Sequence, residues 1–301
     1  METRPGMRLM RCLVVAVACF AASMTAWAEL RVIDDFGHEV VLAEPARRIL
    51  SLAPHSTENI YSAGAGDYLV GVVDHSDYPP EAAQLPSVGS YVQFNLEAIV
   101  GLAPDLVVAW QGASNIEALE RLQSFGMTVY HSEPRTFSGV LENIRDLAIL
   151  AGTEAEMDPR VESVEAAIQA AAESHQGKPP LDVFYQIWSD PLMTLNGEHS
   201  VSRILEVCGA RNLFADLDII APRISVESVL QANPDVIVTG MVDGVKPDMS
   251  RWLKWPMVKA VEKSQFLYVD SDVMHRHTLR MLDAIPGFCA ELNAFRPPEP
   301  D

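Results

Sequence analysis

Positive charge is scarce in this chain. Lys and Arg number 22 against 41 Asp and Glu, a formal net charge of −19. Nucleic acids and anionic lipid surfaces are bound through positive charge, so both are poor partners for it. Cysteine is scarce as well, with four residues, of which Cys12 and Cys19 fall in an N-terminal leader-like segment. The other two, Cys208 and Cys289, have no close His or second Cys to complete a zinc spacing, so metal binding by this pair is not expected. No catalytic signature is present: there is no Gly-x-Ser-x-Gly elbow, no phosphate-binding loop and no His-Glu-x-x-His. Gly64-Ala65-Gly66 follows a helical pattern rather than a strand, which makes it a helix end and not a dinucleotide loop. Glu58 and Asp34 stand as isolated acids without a visible partner. Outside the leader, no apolar run nears the ~18 residues of a membrane span.

What is present begins with that leader. Arg4, Arg8 and Arg11 precede the apolar run Cys12–Ala22, and Ala26-Trp27-Ala28 supplies a small-x-small cleavage site. Residues 1–28 thus read as a signal peptide cut after Ala28, leaving an exported, soluble protein. A lipobox at Ala16-Val17-Ala18-Cys19 is the alternative, but it would cut inside the apolar run. In an oxidising compartment Cys208 and Cys289 are either a disulfide or two buried thiols. The mature chain is of ordinary globular composition, 49% hydrophobic and 21% charged, and is long enough for two lobes.

Strand and helix patterns alternate, as in parallel βαβ units. Leu30–Asp34 and Glu39–Leu42 flank a hairpin turn at Asp35-Phe36-Gly37-His38. Strand Arg48–Leu52 follows, then a helix Thr57–Ala63 capped by Ser56, strand Val70–Val73, a short helix capped by Asn95, and strand Leu106–Trp110. Helix Ile116–Phe125, strand Met127–His131 and helix Phe137–Ala151 complete a first half. The second half replays the order with strand Val183–Trp188, helix Ser200–Val207, a helix capped by Ser225, strand Val236–Thr239, helix Trp252–Lys263, strand Phe266–Val269 and a last helix Thr278–Phe288, interrupted near Pro286.

The replay is literal in one place. Asn95–Trp110 reads NLEAIVGLAPDLVVAW and Ser225–Gly240 reads SVESVLQANPDVIVTG. One offset relates Glu97 to Glu227, Pro104 to Pro234 and Asp105 to Asp235. That spacing is too long for a solenoid repeat and points to two similar lobes. An acid in the first helical turn is ordinarily explained by the helix dipole. The same acid at the same place in both copies points instead to a surface that a partner reads. Between the halves, Asp158–Ser174 has helical periodicity, with Asp158 as N-cap and Pro159 at the first helical position. At ~1.5 Å per residue it spans roughly 25 Å, enough to bridge two lobes as a stiff hinge. The organisation expected is an N-terminal lobe at 29–156, a backbone helix at 157–176 and a C-terminal lobe at 177–301.

Aromatic residues gather at strand ends and loops: Tyr78 in Ser76–Pro80, Tyr91 before the repeated helix, and Trp110 and Trp188 each ending a strand. Ligands of open α/β sheets bind outside the carboxyl ends of the strands, where such rings can stack on a flat ligand. Met274-His275-Arg276-His277 is a second candidate. Its two histidines, at i and i+2, point to different faces of a strand and are poor joint ligands of one metal. One of them, His275, would be free to meet a metal centre carried by the ligand, and Arg276 to hold an anionic group. Asp272 is placed to accept a bond from a ligand amide or hydroxyl.

These features together resemble the substrate-binding proteins of bacterial ABC importers that carry cobalamin, iron-siderophores and haem. The shared pieces are RVIDDFGHEVVLAEPARRILSLAPHSTENI, SDYPPEA, NLEAIVGLAPDLVVAW, LEVCGARNLF and the Ser-Asp before the last helix, and the likeness runs from Leu30 to about Phe295. The cobalamin branch is the most similar. The resemblance implies a class III periplasmic binding protein: an α/β fold of two Rossmann-like lobes with central, mostly parallel sheets joined by a single backbone helix. It implies no enzymatic activity and no resident cofactor. The implied work is capture of a corrinoid between the lobes by a monomer and delivery to an inner-membrane permease. It assigns transporter docking to Glu97 and Glu227, ligand contacts to Tyr78, Trp110 and Asp272, and a disulfide to Cys208–Cys289. Tyr91 stands where that branch has Trp. A further cleft Trp falls here near Ala221-Pro222, and Met274-His275 replaces a Trp-Phe-like pair; Trp188 is placed to compensate. The alternatives are an iron-siderophore or haem carrier of the same family, and a secreted α/β enzyme, which would need a nucleophile–base pair the sequence does not display.

Overall fold

The computed structural model describes residues 29–297, apart from residues 111, 113–115 and 243 and the side chains of Glu156 and Asp158. The signal-peptide and lipobox readings lie outside the described residues.

Two four-stranded parallel sheets form the centre of the molecule. The first orders its strands Leu69–Gly71, Ile49–Ser51, Leu106–Ala109, Thr128–His131. The second orders Ala210–Asn212, Leu181–Gln186, Val236–Met241, Phe266–Asp270. In chain order both sheets therefore run second, first, third, fourth. The duplication seen in one sequence stretch extends to the topology of each lobe. Strands covered by helices on both faces must be apolar throughout, and Leu106–Ala109 is buried at all four positions.

The repeated stretch has the same local structure in both copies. Helices Leu96–Leu102 and Val226–Ala232 are capped by the Asn95 and Ser225 side chains, which accept backbone N–H bonds from the first turn. Both end on a left-handed residue, Ala103 with φ 45° and Asn233 with φ 49°. The Asp of each Pro-Asp then receives the neighbouring strand: Asp105 accepts from the amides of Arg47 and Arg48, and Asp235 from that of Asp182. The Pro-Asp motif is thus a joint between helix and sheet.

Helix Glu154–Glu173 links the lobes, its 20 residues spanning about 30 Å. It begins four residues before the expected Asp158 cap, with Thr153 as N-cap and Pro159 inside the helix. Met157, Val161 and Val164 bury one face of that first half, so packing compensates for the hydrogen bond Pro159 cannot make. The last helix, Leu279–Asn293, likewise runs through Pro286 without interruption. Its stripe Leu282, Ile285, Phe288, Cys289 and Leu292 is buried in one core cluster that also contains Ile144 of the first lobe and Val161 of the linking helix. One core thus runs through both lobes and the linking helix. Cys208 and Cys289 form a disulfide across a sequence separation of 81. Closing a loop of that length removes about 4 kcal/mol of unfolded-chain entropy.

Two other expectations are corrected. The helix expected at Thr57–Ala63 runs Pro54–Ser62 with Ala53 as N-cap, Pro54 opening it as its fixed φ favours. Ser56 lies inside it rather than capping it. The helix expected at Trp252–Lys263 is two pieces, Ser250–Leu253 and Lys259–Glu262, because Pro256 disfavours helical backbone at the residue before it.

Candidate functional site

In both sheets the strand order reverses direction between the first and third strands, and a crevice opens at the carboxyl ends there. The two crevices face each other across a cavity of about 560 Å³. From the first lobe come Pro54 and His55, which open the helix after strand Ile49–Ser51, then Trp110 after strand Leu106–Ala109, Tyr91, and the run Glu133-Pro134-Arg135 after strand Thr128–His131. From the second come Glu198-His199-Ser200 at the start of helix Ser200–Val207, Ile220, and His275-Arg276-His277 after strand Phe266–Asp270.

Trp110 is the centre of the first wall. Its ring centroid is 5.7 Å from that of Tyr91 and 5.3 Å from that of His55, the latter edge-on at 86°. Such offset and edge arrangements are the favourable ones for aromatic pairs. The second wall is built of imidazoles. His199 lies 6.2 Å from His275 and 6.5 Å from His277, centroid to centroid. Four of the chain's eight histidines thus line one cavity.

Each imidazole is fixed differently. His199 Nδ1 accepts the Val201 amide at 3.1 Å and so caps its helix, which leaves Nε2–H free to donate. His275 Nε2 lies 2.9 Å from the Tyr185 hydroxyl, within the second lobe. His277 Nε2 is buried and has no hydrogen-bond partner among the described residues. Burial lowers the pKa of all four. His55 falls to about 3 and His199 to about 4, the neighbouring histidines adding to the effect. These imidazoles are therefore neutral at pH 7.

The unfolded chain takes up protons at these histidines below their ordinary value near 6.5, whereas the fold does not until pH falls toward 4 at His199 and 3 at His55. Their contribution is complete above pH 6.5 and is lost as pH drops. Urea unfolding should show the midpoint falling between pH 6.5 and pH 4. His199→Gln should flatten that dependence by up to about 1.4 kcal/mol per pH unit. An unchanged slope would show that His199 titrates normally in the fold.

Beside the cavity, an ion cluster ties one lobe to the other. Glu58, in the first lobe, is 3% exposed. Arg280 donates to both its oxygens, at 3.0 and 2.7 Å, and Arg276 to one at 3.0 Å. Arg276 also reaches Asp77 at 3.0 Å and Asp272 at 3.1 Å. The Arg280 guanidinium sits 3.9 Å over the Tyr78 ring. Asn59 adds a bond to the His277 carbonyl at 3.2 Å.

Of the residues proposed from sequence, Tyr91, Trp110 and His275 line the cavity. Tyr78 and Asp272 belong to the ion cluster that reaches the cavity through Arg276. Trp188 is 57% exposed in a hairpin, its indole N–H donating to the Asp190 carbonyl at 2.8 Å, and is not part of the cavity lining. Near Ala221-Pro222 the cavity surface is Ile220. His275 and His277 do converge on one cavity, contrary to the expectation from a strand. Residues Ser271–His275 are helical, and the chain turns extended at Arg276. His55, His199 and the partners of Glu58 were not found from sequence. Glu58 lies 218 residues from Arg276 along the chain and no local pattern relates them. Ser200 Oγ, a hydroxyl on the cavity, is buried without a hydrogen-bond partner among the described residues and is not paired with a base. Among those residues, no helix is long and apolar enough to cross a membrane.

Residues 49–273 match the family described as periplasmic binding protein. The chain is 34% identical over 249 residues to the vitamin B12-binding protein of Vibrio cholerae, covering 82% of this chain and 90% of that one. It is 31% identical to the vitamin B12-binding protein of Photorhabdus laumondii, covering 87% and 92%. The crystal structure of the periplasmic vitamin B12 binding protein BtuF of Vibrio cholerae superimposes with a TM-score of 0.74 over 83% of this chain and 98% of that one. The periplasmic haem-binding protein RhuT of Roseiflexus sp. RS-1 superimposes with a TM-score of 0.71 at 25% identity, over 83% and 100%. The two-lobed α/β fold with a single linking helix is common to them. The chain belongs to the periplasmic binding protein family.

Proposed function

We propose that this protein captures cobalamin or a related corrinoid between its lobes in the periplasm and delivers it to an inner-membrane ABC importer. It would be exported by the leader ending at Ala28 and would act as a monomer without enzymatic activity. The observation that carries this reading is the paired Trp110–Tyr91 wall facing a neutral imidazole wall, in a chain one-third identical to vitamin B12-binding proteins. A flat macrocycle fits such a slot, because rigid rings contribute contact area at little cost in rotamer freedom. Tyr91 and Trp110 would stack on the corrin, while Tyr78 and Asp272, beside the cavity, would meet its periphery. His199 Nε2–H would donate to a side-chain amide, and His275 would approach the metal face. Glu97 and Glu227 would dock onto cations of the permease.

Titration of the mature protein with cyanocobalamin, followed by tryptophan fluorescence, should show saturable binding at micromolar concentration or below. Trp110→Ala should weaken it about 10-fold or more, the equivalent of one lost stacking contact. No binding at micromolar ligand would sink the cobalamin assignment. The histidine wall favours a second reading, a haem or ferric-siderophore carrier, because neutral imidazole is a metal ligand. The absorption spectrum of protein purified from its native host separates corrinoid, haem and ferric siderophore.

A further inference from the structure

Away from the cavity, the N-terminal hairpin holds a second group of donors. Asp34 follows strand Leu30–Ile33, His38 precedes strand Glu39–Leu42, and His131 ends strand Thr128–His131 of the first sheet. One ligand atom from each lies within 4.8 Å of the other two. His38 Nδ1 is 3.2 Å from Asp34 Oδ2, and the His38 and His131 rings are 5.3 Å apart, centroid to centroid.

We propose that Asp34, His38 and His131 bind a divalent transition-metal ion of the zinc class, fastening the N-terminal hairpin to the first lobe. One carboxylate oxygen and two imidazole nitrogens are a donor set that such ions take, with a fourth position left for water. The carboxylate is already oriented. Asp34 Oδ1 accepts from the amides of Phe36 and His38, at 3.0 and 2.8 Å, and Oδ2 from the amide of His131 at 3.2 Å. Metal sites hold their ligands through supports of this kind. His131 is 8% exposed, and its Nδ1 is buried with no hydrogen-bond partner among the described residues.

Ligands about 2.0–2.2 Å from a tetrahedral ion sit roughly 3.3 Å from one another, so the cluster must contract. His38 permits this, because its side chain is 60% exposed and its ring is free to turn toward the ion. Without an ion, His38 adds to the buried Asp34 carboxylate only one contact from an exposed ring. The cavity histidines do not compete on geometry: among the described residues they form no group of three ligand atoms this close.

The test is zinc titration of the untagged mature protein by calorimetry, with thermal unfolding measured in parallel. Binding of one ion per chain is expected, with an unfolding temperature raised by about 5 °C or more at a hundredfold excess over Kd. His38→Ala should abolish both effects, and its exposed position keeps the fold intact. His131→Gln should do the same, while His277→Ala should retain them. Absence of saturable binding would overturn the proposal. So would binding that survives His38→Ala, or that is lost in His277→Ala.

Discussion

Lysine at both Glu97 and Glu227 is expected to abolish ligand uptake by cells while leaving the affinity of the isolated protein unchanged. Each glutamate is the second residue of a short helix, one on each lobe, after the caps Asn95 and Ser225. Both are exposed, and neither enters an ion pair among the described residues. Within the fold, their interaction with the helix N-terminus is worth about 0.3–1 kcal/mol each, so reversal should leave the protein folded. At a docked interface the cost is different. Removing one partner of a hydrogen-bonded charge pair costs about 2–5 kcal/mol, and a lysine facing the proposed permease cation would add repulsion. Two such losses exceed what a transient complex can spare. Uptake of labelled cobalamin by cells lacking their own binding protein measures the first effect, and direct titration the second. A weakened Kd would place the glutamates in the ligand site. Undiminished uptake would move the docking surface elsewhere.

Glu58→Ala should be the most destabilising single substitution at the lobe interface, costing about 3–5 kcal/mol. The change removes a carboxylate that is 3% exposed and leaves two largely buried guanidiniums, Arg276 and Arg280, facing each other. Asp77→Asn removes a partner of the same Arg276, but Asp77 is 58% exposed and water replaces it. Its cost should stay below about 1 kcal/mol. Urea denaturation of the two variants beside wild type tests the contrast. Equal small losses would show that the cluster does not hold the lobes together. Because Arg276 also lines the cavity, Glu58→Ala should weaken ligand binding as well.

How far the fold was legible depended on the range of the interactions involved. Helix caps are contacts of two or three residues, so Asn95 and Ser225 announce their helices directly. Gly152, in left-handed conformation, ends its helix where expected. Proline was read too strongly. It ends a helix when nothing opposes it, as at Pro256. At Pro159 and Pro286 a buried apolar stripe outweighs the lost hydrogen bond. Strand alternation misled at His275 and His277, where a short helix intervenes.

The sequence alone determined that there are two lobes, because duplication leaves its trace in Glu97/Glu227 and in the two Pro-Asp joints. It also determined the strand–helix alternation and the strand end that carries Trp110. Only the tertiary structure decided that His55, His199, His275 and His277 line one cavity, and that Glu58 is the partner of Arg276 and Arg280. Those groups are brought together by the packing of two sheets and a final helix around one core. Contacts between residues some 200 positions apart carry no local periodicity. Nothing short of the folded chain reveals them.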